Sequence, residues 1–157
     1  MRTGKARRPD GGQTNVPDLT TILDSLAAGK ALDLACGKGR HAAFLAERGW
    51  AVTAVDLVPA EIPGVTFIEA DLEKHGFAIE PGAYDLILAW LYWQPGLLPA
   101  IAEGVRPGGI AALAGKTEGR FATSLGNYRR AFPGWSELAA GEGEGRVWFV
   151  ARAPYNK

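Results

Sequence analysis

The sequence predicts an α/β protein built on one open, doubly wound, mostly parallel sheet with a C-terminal antiparallel hairpin. Three observations predict it. Short apolar runs alternate with helix-spaced segments, the signature of repeated strand–helix–strand units. The run Leu86-Ile87-Leu88 is apolar without alternation, as in a strand covered on both faces. The 21 glycines and ten prolines fall between such runs and form no repeat or low-complexity tract.

Val16-Pro17-Asp18 reads as a helix entry, followed by Leu19, Ile22, Leu23 and Leu26 on one face and stopped by Gly29. Ala31 to Ala35 is a strand running into glycines, and Arg40 to Arg48 a helix with Phe44 and Leu45 inward and Gly49 at its end. Strands follow at Ala51–Asp56, Val65–Glu69 and Tyr84–Leu91. Between the last two, His75-Gly76-Phe77 and Pro81-Gly82 leave room for a short helix or none. After Pro95-Gly96 comes a helix over Leu97–Val105. Arg106-Pro107-Gly108-Gly109 is then a turn feeding the strand Ile110–Ala114. A short helix over Leu125–Phe132 leads to strands Trp135–Ala140 and Arg146–Ala153, joined as an antiparallel pair through Gly141-Glu142-Gly143-Glu144-Gly145.

A chain of 157 residues with 47% hydrophobic content builds one core, so a single domain is expected over 18–157. Residues 1–17 carry Arg2, Lys5, Arg7 and Arg8 in a polar stretch and are expected to be a disordered basic tail. Seventeen basic residues balance seventeen acidic ones, so charge gives no reason to expect nucleic acid or a membrane as partner. No segment approaches the roughly 18 apolar residues of a membrane span. Cys36 is the only cysteine, which excludes an internal disulfide and a cysteine-built zinc site and points weakly to the cytoplasm. No metal is expected.

In open α/β sheets, ligands bind beyond the carboxyl ends of the strands. Gly37, Gly39 and Ala42 fit G-x-G-x-x-[G/A], which lets the backbone bend and a ligand approach closely. Asp56 ends the second strand 17 residues after Gly39, where a carboxylate can accept both hydroxyls of a ribose. Together they indicate an adenosine-containing cofactor.

Asp33 discriminates between candidates: a carboxylate there repels a pyrophosphate and attracts an ammonium. The helix start with Arg40 can meet a carboxylate. That mixture of signs suits the amino-acid tail of S-adenosylmethionine better than a dinucleotide. Asp71, after the third strand, could accept the adenine amine between Ala70 and Leu72. Each acid also has a plain structural reading: Asp33 as a strand-end cap, Asp56 as a turn former, Asp71 as a helix N-cap.

Leu32-Asp33-Leu34-Ala35-Cys36-Gly37-Lys38-Gly39-Arg40-His41-Ala42, with Leu45-Ala46-Glu47-Arg48-Gly49 and Val52-Thr53-Ala54-Val55-Asp56, resembles the class I S-adenosylmethionine-dependent methyltransferases, a Rossmann-like fold. It is nearest the small tellurite-resistance and thiopurine methyltransferase-like group. The resemblance covers about Asp18 to Ala153. It implies that the loop from Asp33 through Ala35, Cys36, Gly37 and Gly39 to Arg40 and His41 holds the methionine part. Asp56 would hold the ribose, and Ala70, Asp71 and Leu72 the adenine, with Leu57 and Ala89 as further expected cofactor-binding residues.

A sulfonium carries its own electrophile, so the protein needs to align an acceptor and exclude water, and no catalytic residue is assigned. Trp90, Tyr92 and Trp93 gather beyond the fourth strand as an expected wall for a flat small-molecule acceptor. The segment lacks the Asn-Pro-Pro-aromatic tetrad of nucleic-acid amino-methylating enzymes, which argues against that substrate class. Cys36 is expected to pack rather than react, and Tyr128, Arg129 and Arg130 read as a solvated helix face or an anion contact. Two other functions stay open on sequence: a cofactor-binding module without transfer activity, and a nicotinamide-dependent oxidoreductase. The oligomeric state is not encoded in any feature of the sequence.

Overall fold

A computed structural model describes residues 18–156, so the expected tail at 1–17 lies outside the described residues. Seven strands form one sheet in the order β3-β2-β1-β4-β5-β7-β6. They are β1 (Lys30–Leu34), β2 (Ala51–Asp56), β3 (Val65–Glu69), β4 (Tyr84–Trp90), β5 (Val105–Lys116), β6 (Ser136–Gly143) and β7 (Arg146–Arg152). The first five run parallel, and β7 lies antiparallel between β5 and β6. The expected architecture is present, including the C-terminal hairpin.

Four helices cover the two faces. On one, α1 (Leu19–Asp24) and α2 (Arg40–Glu47) bury Leu19, Leu23, Ala42 and Leu45 against Ala31, Val52, Ala54, Leu86 and Leu88. On the other, α3 (Leu98–Gly104) and α4 (Leu125–Ala131) bury Leu98, Ile101 and Tyr128 against Leu32, Leu34, Ile87, Leu113 and Phe149. Successive residues of β1 and β4 thus feed opposite cores, which is why these strands carry unbroken apolar runs. Asp18 caps α1, its carboxylate accepting from the Thr20 amide.

Several boundaries differ from expectation, three of them for reasons the structure makes plain. Arg106-Pro107-Gly108-Gly109 is not a separate turn. β5 begins at Val105 and absorbs it as an irregularity, the register with β4 shifting between Tyr84 and Leu86. β6 runs on to Gly143, since small residues suit an approach to β7. A Cβ on Gly141 would sit 2.8 Å from the Trp148 ring. That leaves Glu144-Gly145 as a two-residue turn with both residues left-handed, the geometry that matches strand twist. β4 stops at Trp90 rather than Leu91, because Leu91 is left-handed at φ 63°. Between β3 and β4 the connection is a single 3₁₀ turn, Leu72–Lys74, as the prolines and glycines there suggested.

Candidate functional site

The carboxyl ends of β1, β2 and β3 are tied to one another before any ligand is considered. The Cys36 amide donates to Val55 O at 3.1 Å, and the Ala70 amide to Asp56 O at 3.0 Å. Asp56 then braces the glycine turn: Oδ2 accepts from the Gly37 amide at 2.7 Å and Oδ1 from the Val58 amide at 3.1 Å. These bonds leave each oxygen a free lone pair for a further donor. Gly39, at φ 86°, is the residue before α2, and a Cβ there would enter the Ile62 side chain. Gly39→Ala is therefore expected to cost about 2 kcal/mol, from the left-handed penalty plus displacement of a buried side chain. Thermal or urea unfolding checks it.

Asp33 lies beneath this turn, 3% exposed, and accepts no hydrogen bond from any described residue. Burial, reinforced by the neighbouring Asp56 carboxylate, pushes its carboxyl up to about 7. An ionised acid this deep is costly unless a cation joins it, so the site has the polarity of an ammonium receptor. Cys36 is half-buried, and burial together with Asp33 and Asp56 pushes its thiol up to about 12. The thiol is therefore neutral at physiological pH.

Above the turn opens a cleft of about 610 Å³ lined by Asp18, Ala35, Cys36, Gly37, Lys38, Arg40, His41, Trp90 and Leu91. Arg40 and His41 stand at the start of α2, with Arg40 Nη2 and His41 Nε2 at 3.3 Å. Burial and the Arg40 charge lower the His41 pKa, with Asp18 opposing, so His41 is neutral at pH 7. Asp18 and Lys38 were not singled out from sequence. Leu57 and Val58, just beyond Asp56, are 59% and 67% exposed, an apolar step beside the carboxylate.

The structure adds a second role to one expected site residue and divides an expected cluster. Asp71 Oδ1 caps the 3₁₀ turn by accepting from the Glu73 amide at 3.0 Å, the structural role that its position allowed. Trp90, Tyr92 and Trp93 do not make one aromatic wall. Trp90 packs toward the α1–α2 face and meets His41 edge-on at 6.2 Å, whereas Tyr92 and Trp93 pack toward the α3–α4 face. The left-handed Leu91 between them breaks the strand alternation and sends the chain across the sheet end. Ala89 is 4% exposed, paired with Leu113 and packed in the α3–α4 core rather than along the cleft lining.

Leu91 separates the cleft from a second cavity of about 200 Å³, lined by Glu73, Leu91, Tyr92, Trp93, Gly115, Lys116 and Phe121. It adjoins a further space of about 330 Å³ that shares Glu73, Trp93 and Phe121 and adds Gln94, Pro95 and Arg120. The Tyr92 hydroxyl bonds Gln94 Oε1, and Gln94 Nε2 donates to Leu72 O at 3.1 Å, tying this cavity to the segment after β3. Burial, then Glu73, Asp71 and Asp56, raise the Tyr92 pKa, so it stays a phenol. Arg129 pairs with Glu137 at 2.8 Å and Arg130 bonds Asn127, and neither lines the cleft or the cavity. Among the described residues no cluster of His, Cys, Asp or Glu has metal-site geometry. No described helix is long and apolar enough to cross a membrane.

A family model described as a methyltransferase domain matches residues 31–109, half of the chain. A trans-aconitate 2-methyltransferase from Deinococcus radiodurans is 28% identical over 141 residues, an alignment covering 72% of this chain and 53% of that one. The chain thus spans about half the length of that relative. Among solved structures, TehB from Haemophilus influenzae superposes with a TM-score of 0.72 at 16% identity, covering 86% of this chain and 61% of that one. The 1,6-didemethyltoxoflavin-N1-methyltransferase of Burkholderia thailandensis, solved with S-adenosylhomocysteine and its substrate, gives 0.65 at 19% identity, covering 87% and 75%.

Proposed function

The chain belongs to the methyltransferase-domain family, and from that premise we propose that it transfers a methyl group from S-adenosylmethionine to a small-molecule acceptor. The observation that carries this reading is the unpartnered, buried Asp33 carboxylate under a glycine turn braced by Asp56. A pyrophosphate would add negative charge beside two carboxylates, and the ammonium of a methionyl tail relieves them. Asp33 and the Ala35–Gly39 backbone take that ammonium. Arg40, with neutral His41 beside it, takes the tail carboxylate. The free lone pairs of Asp56 accept the ribose hydroxyls, while Leu57 and the Ala70–Leu72 backbone offer adenine an apolar face and polar edge. Asp71 contributes through its uncommitted oxygen.

When bound, the cofactor supplies a methyl on a sulfonium, an electrophile that needs no metal. The protein's own work is alignment and exclusion of water. The cleft and the cavity meet at Leu91, so an acceptor between Tyr92, Trp93 and Phe121 lies next to the methionine end of the cleft. No side chain is assigned as general base. A small acceptor agrees with the roughly 200 Å³ cavity and with the small substrates named for the trans-aconitate and didemethyltoxoflavin enzymes. The zero net charge gives nucleic acid no electrostatic claim on the protein. A cytoplasmic setting accords with the single unpaired thiol of Cys36.

Calorimetry with S-adenosylhomocysteine is expected to give micromolar binding, with no heat from NADH. Absence of binding at several hundred micromolar overturns the reading. Release of S-adenosylhomocysteine across a panel of small acids, phenols and amines tests transfer, and binding without turnover on a broad panel leaves a cofactor-binding module instead.

A further inference from the structure

One polar atom in the second core has no partner. Tyr128, in α4, is 1% exposed, and its hydroxyl is the buried side-chain polar atom without a hydrogen bond among the described residues. Its ring is held on two sides: stacked on Phe149 at 6.0 Å, and met edge-on by Trp93 at 5.4 Å. The aromatic body is therefore fixed by packing, and the hydroxyl adds only desolvation cost. A phenylalanine would serve the core better.

The hydroxyl lies directly behind the lining of the Tyr92–Trp93–Phe121 cavity. Gly115 and Trp93 both line that cavity, and a Cβ on Gly115 would come within 2.9 Å of the Tyr128 oxygen and 2.7 Å of Thr123 Cγ2. Gly115 leaves the backbone thin where the hydroxyl stands, and the partly buried Trp93 ring forms the rest of the partition. Burial raises the Tyr128 pKa, so the group is a protonated donor throughout the working range. The same lining has one cation and one anion. Lys116, at the end of β5, enters no ion pair among the described residues, while Glu73 comes from the turn after β3. Arg120, on the adjoining space, contacts the Phe121 ring at 5.2 Å and likewise has no carboxylate partner there.

We propose that this cavity takes a flat, conjugated carboxylic acid, whose carboxylate is held by Lys116 and whose deeper oxygen receives a hydrogen bond from the Tyr128 hydroxyl once Trp93 swings aside. The proposal rests on the methyltransferase reading and deepens it by naming the acceptor class. Tyr92, Trp93 and Phe121 supply ring faces for the planar body. Glu73 disfavours a second negative group at its end of the cavity, which orients the acid toward Lys116. Tyr128 selects for an oxygen at depth, because a donor left buried penalises an apolar acceptor.

The test uses the full chain saturated with S-adenosylhomocysteine and titrated calorimetrically with benzoate, salicylate and 4-hydroxybenzoate, the matching amides serving as uncharged controls. At least one acid is expected to bind more tightly than its amide by tenfold or more. Tyr128→Phe should weaken that acid about tenfold, the loss of one hydrogen bond to a charged group. Lys116→Gln should weaken it at least as much, and both variants should keep wild-type affinity for S-adenosylhomocysteine. Tyr128→Phe should melt at or above the wild-type temperature. Amides that bind as well as acids, or acid binding unchanged in Tyr128→Phe, overturn the proposal, as does a Tyr128→Phe protein that melts several degrees lower. Failure of every acid to bind protein that holds S-adenosylhomocysteine overturns it while leaving the cofactor reading intact. Failure to hold S-adenosylhomocysteine strikes the cofactor reading itself.

Discussion

Asp33→Asn is expected to weaken S-adenosylmethionine binding on the order of a hundredfold while raising the melting temperature of the cofactor-free protein. Both effects have one origin. Burial and the nearby Asp56 carboxylate hold this carboxyl, 3% exposed and without a hydrogen-bond donor among the described residues, at about 7, well above the ordinary aspartate range. With the folded pKa above the unfolded one, this group favours folding fully below the unfolded value, and that contribution is lost as pH rises through 7. At pH 8 the penalty is on the order of 4 kcal/mol, at about 1.4 kcal/mol per pKa unit. The asparagine variant escapes it, so its stability advantage should be several degrees at pH 8 and shrink as pH falls toward 5.

Binding shows the converse. The ammonium selects the ionised acid, so wild-type affinity should fall below pH 7 by up to about tenfold per unit, with one proton released per cofactor bound. The asparagine variant should lack that slope. Calorimetry in buffers of different ionisation enthalpy reads the proton directly, and a wild-type affinity flat from pH 8 to 5.5 removes Asp33 from the ammonium site.

Asp56→Ala should abolish measurable S-adenosylhomocysteine binding, a loss of a hundredfold or more, and also destabilise the protein by about 2 to 3 kcal/mol. The second effect arises because the carboxylate already accepts from the Gly37 and Val58 amides at 2.7 and 3.1 Å. Alanine leaves both donors without their acceptor and frees the glycine turn. Asp56→Asn separates the two roles. Its amide oxygen retains one of the two acceptors, so stability should recover by about half, while the ribose still loses charge-assisted bonds and affinity stays at least tenfold down. Urea unfolding and calorimetry on the same preparations measure both. Unchanged affinity in the alanine variant rules out a ribose contact at this position.

The methionine half of the site was legible because its residues are consecutive. A strand, an acid, a glycine turn and a helix start occupy Asp33 to His41, and each has a local physical signature. Asp56 was legible for the same reason, as a charge at the end of an apolar run. The second cavity was not. Glu73 comes from the turn after β3, whereas Lys116 and Phe121 come from the end of β5 and the loop beyond it, and no spacing rule brings the two stretches together. Trp90, Tyr92 and Trp93 looked like one cluster because strand alternation cannot anticipate a left-handed leucine in their midst. Asp71 shows the converse limit: an acid before a turn serves equally well as a cap or a ligand, and its backbone partner emerges only in the fold. The Arg106–Gly109 segment read as a turn from composition, yet pairing with β4 on one side and β7 on the other kept the strand continuous around it.

The bare crossings at the β3 end have a consequence for motion. No α-helix lies between β2 and β3 or between β3 and β4 among the described residues, where the second crossing has only the 3₁₀ turn Leu72–Lys74, and no residue of β3 is fully buried. The central strands sit under two apolar layers, whereas this margin adds to its ladder with β2 only the partly buried Val65, Phe67 and Ile68. Transient local opening is therefore cheapest there, and amide hydrogens of Val65–Glu69 should exchange ahead of those in β1, β4 and β7. Since adenine would bridge the tips of β2 and β3, an occupied site fastens the loosest edge of the sheet. Part of the binding free energy is then spent on quieting that edge, and thermal fluctuation there becomes a reporter of whether the cofactor is present.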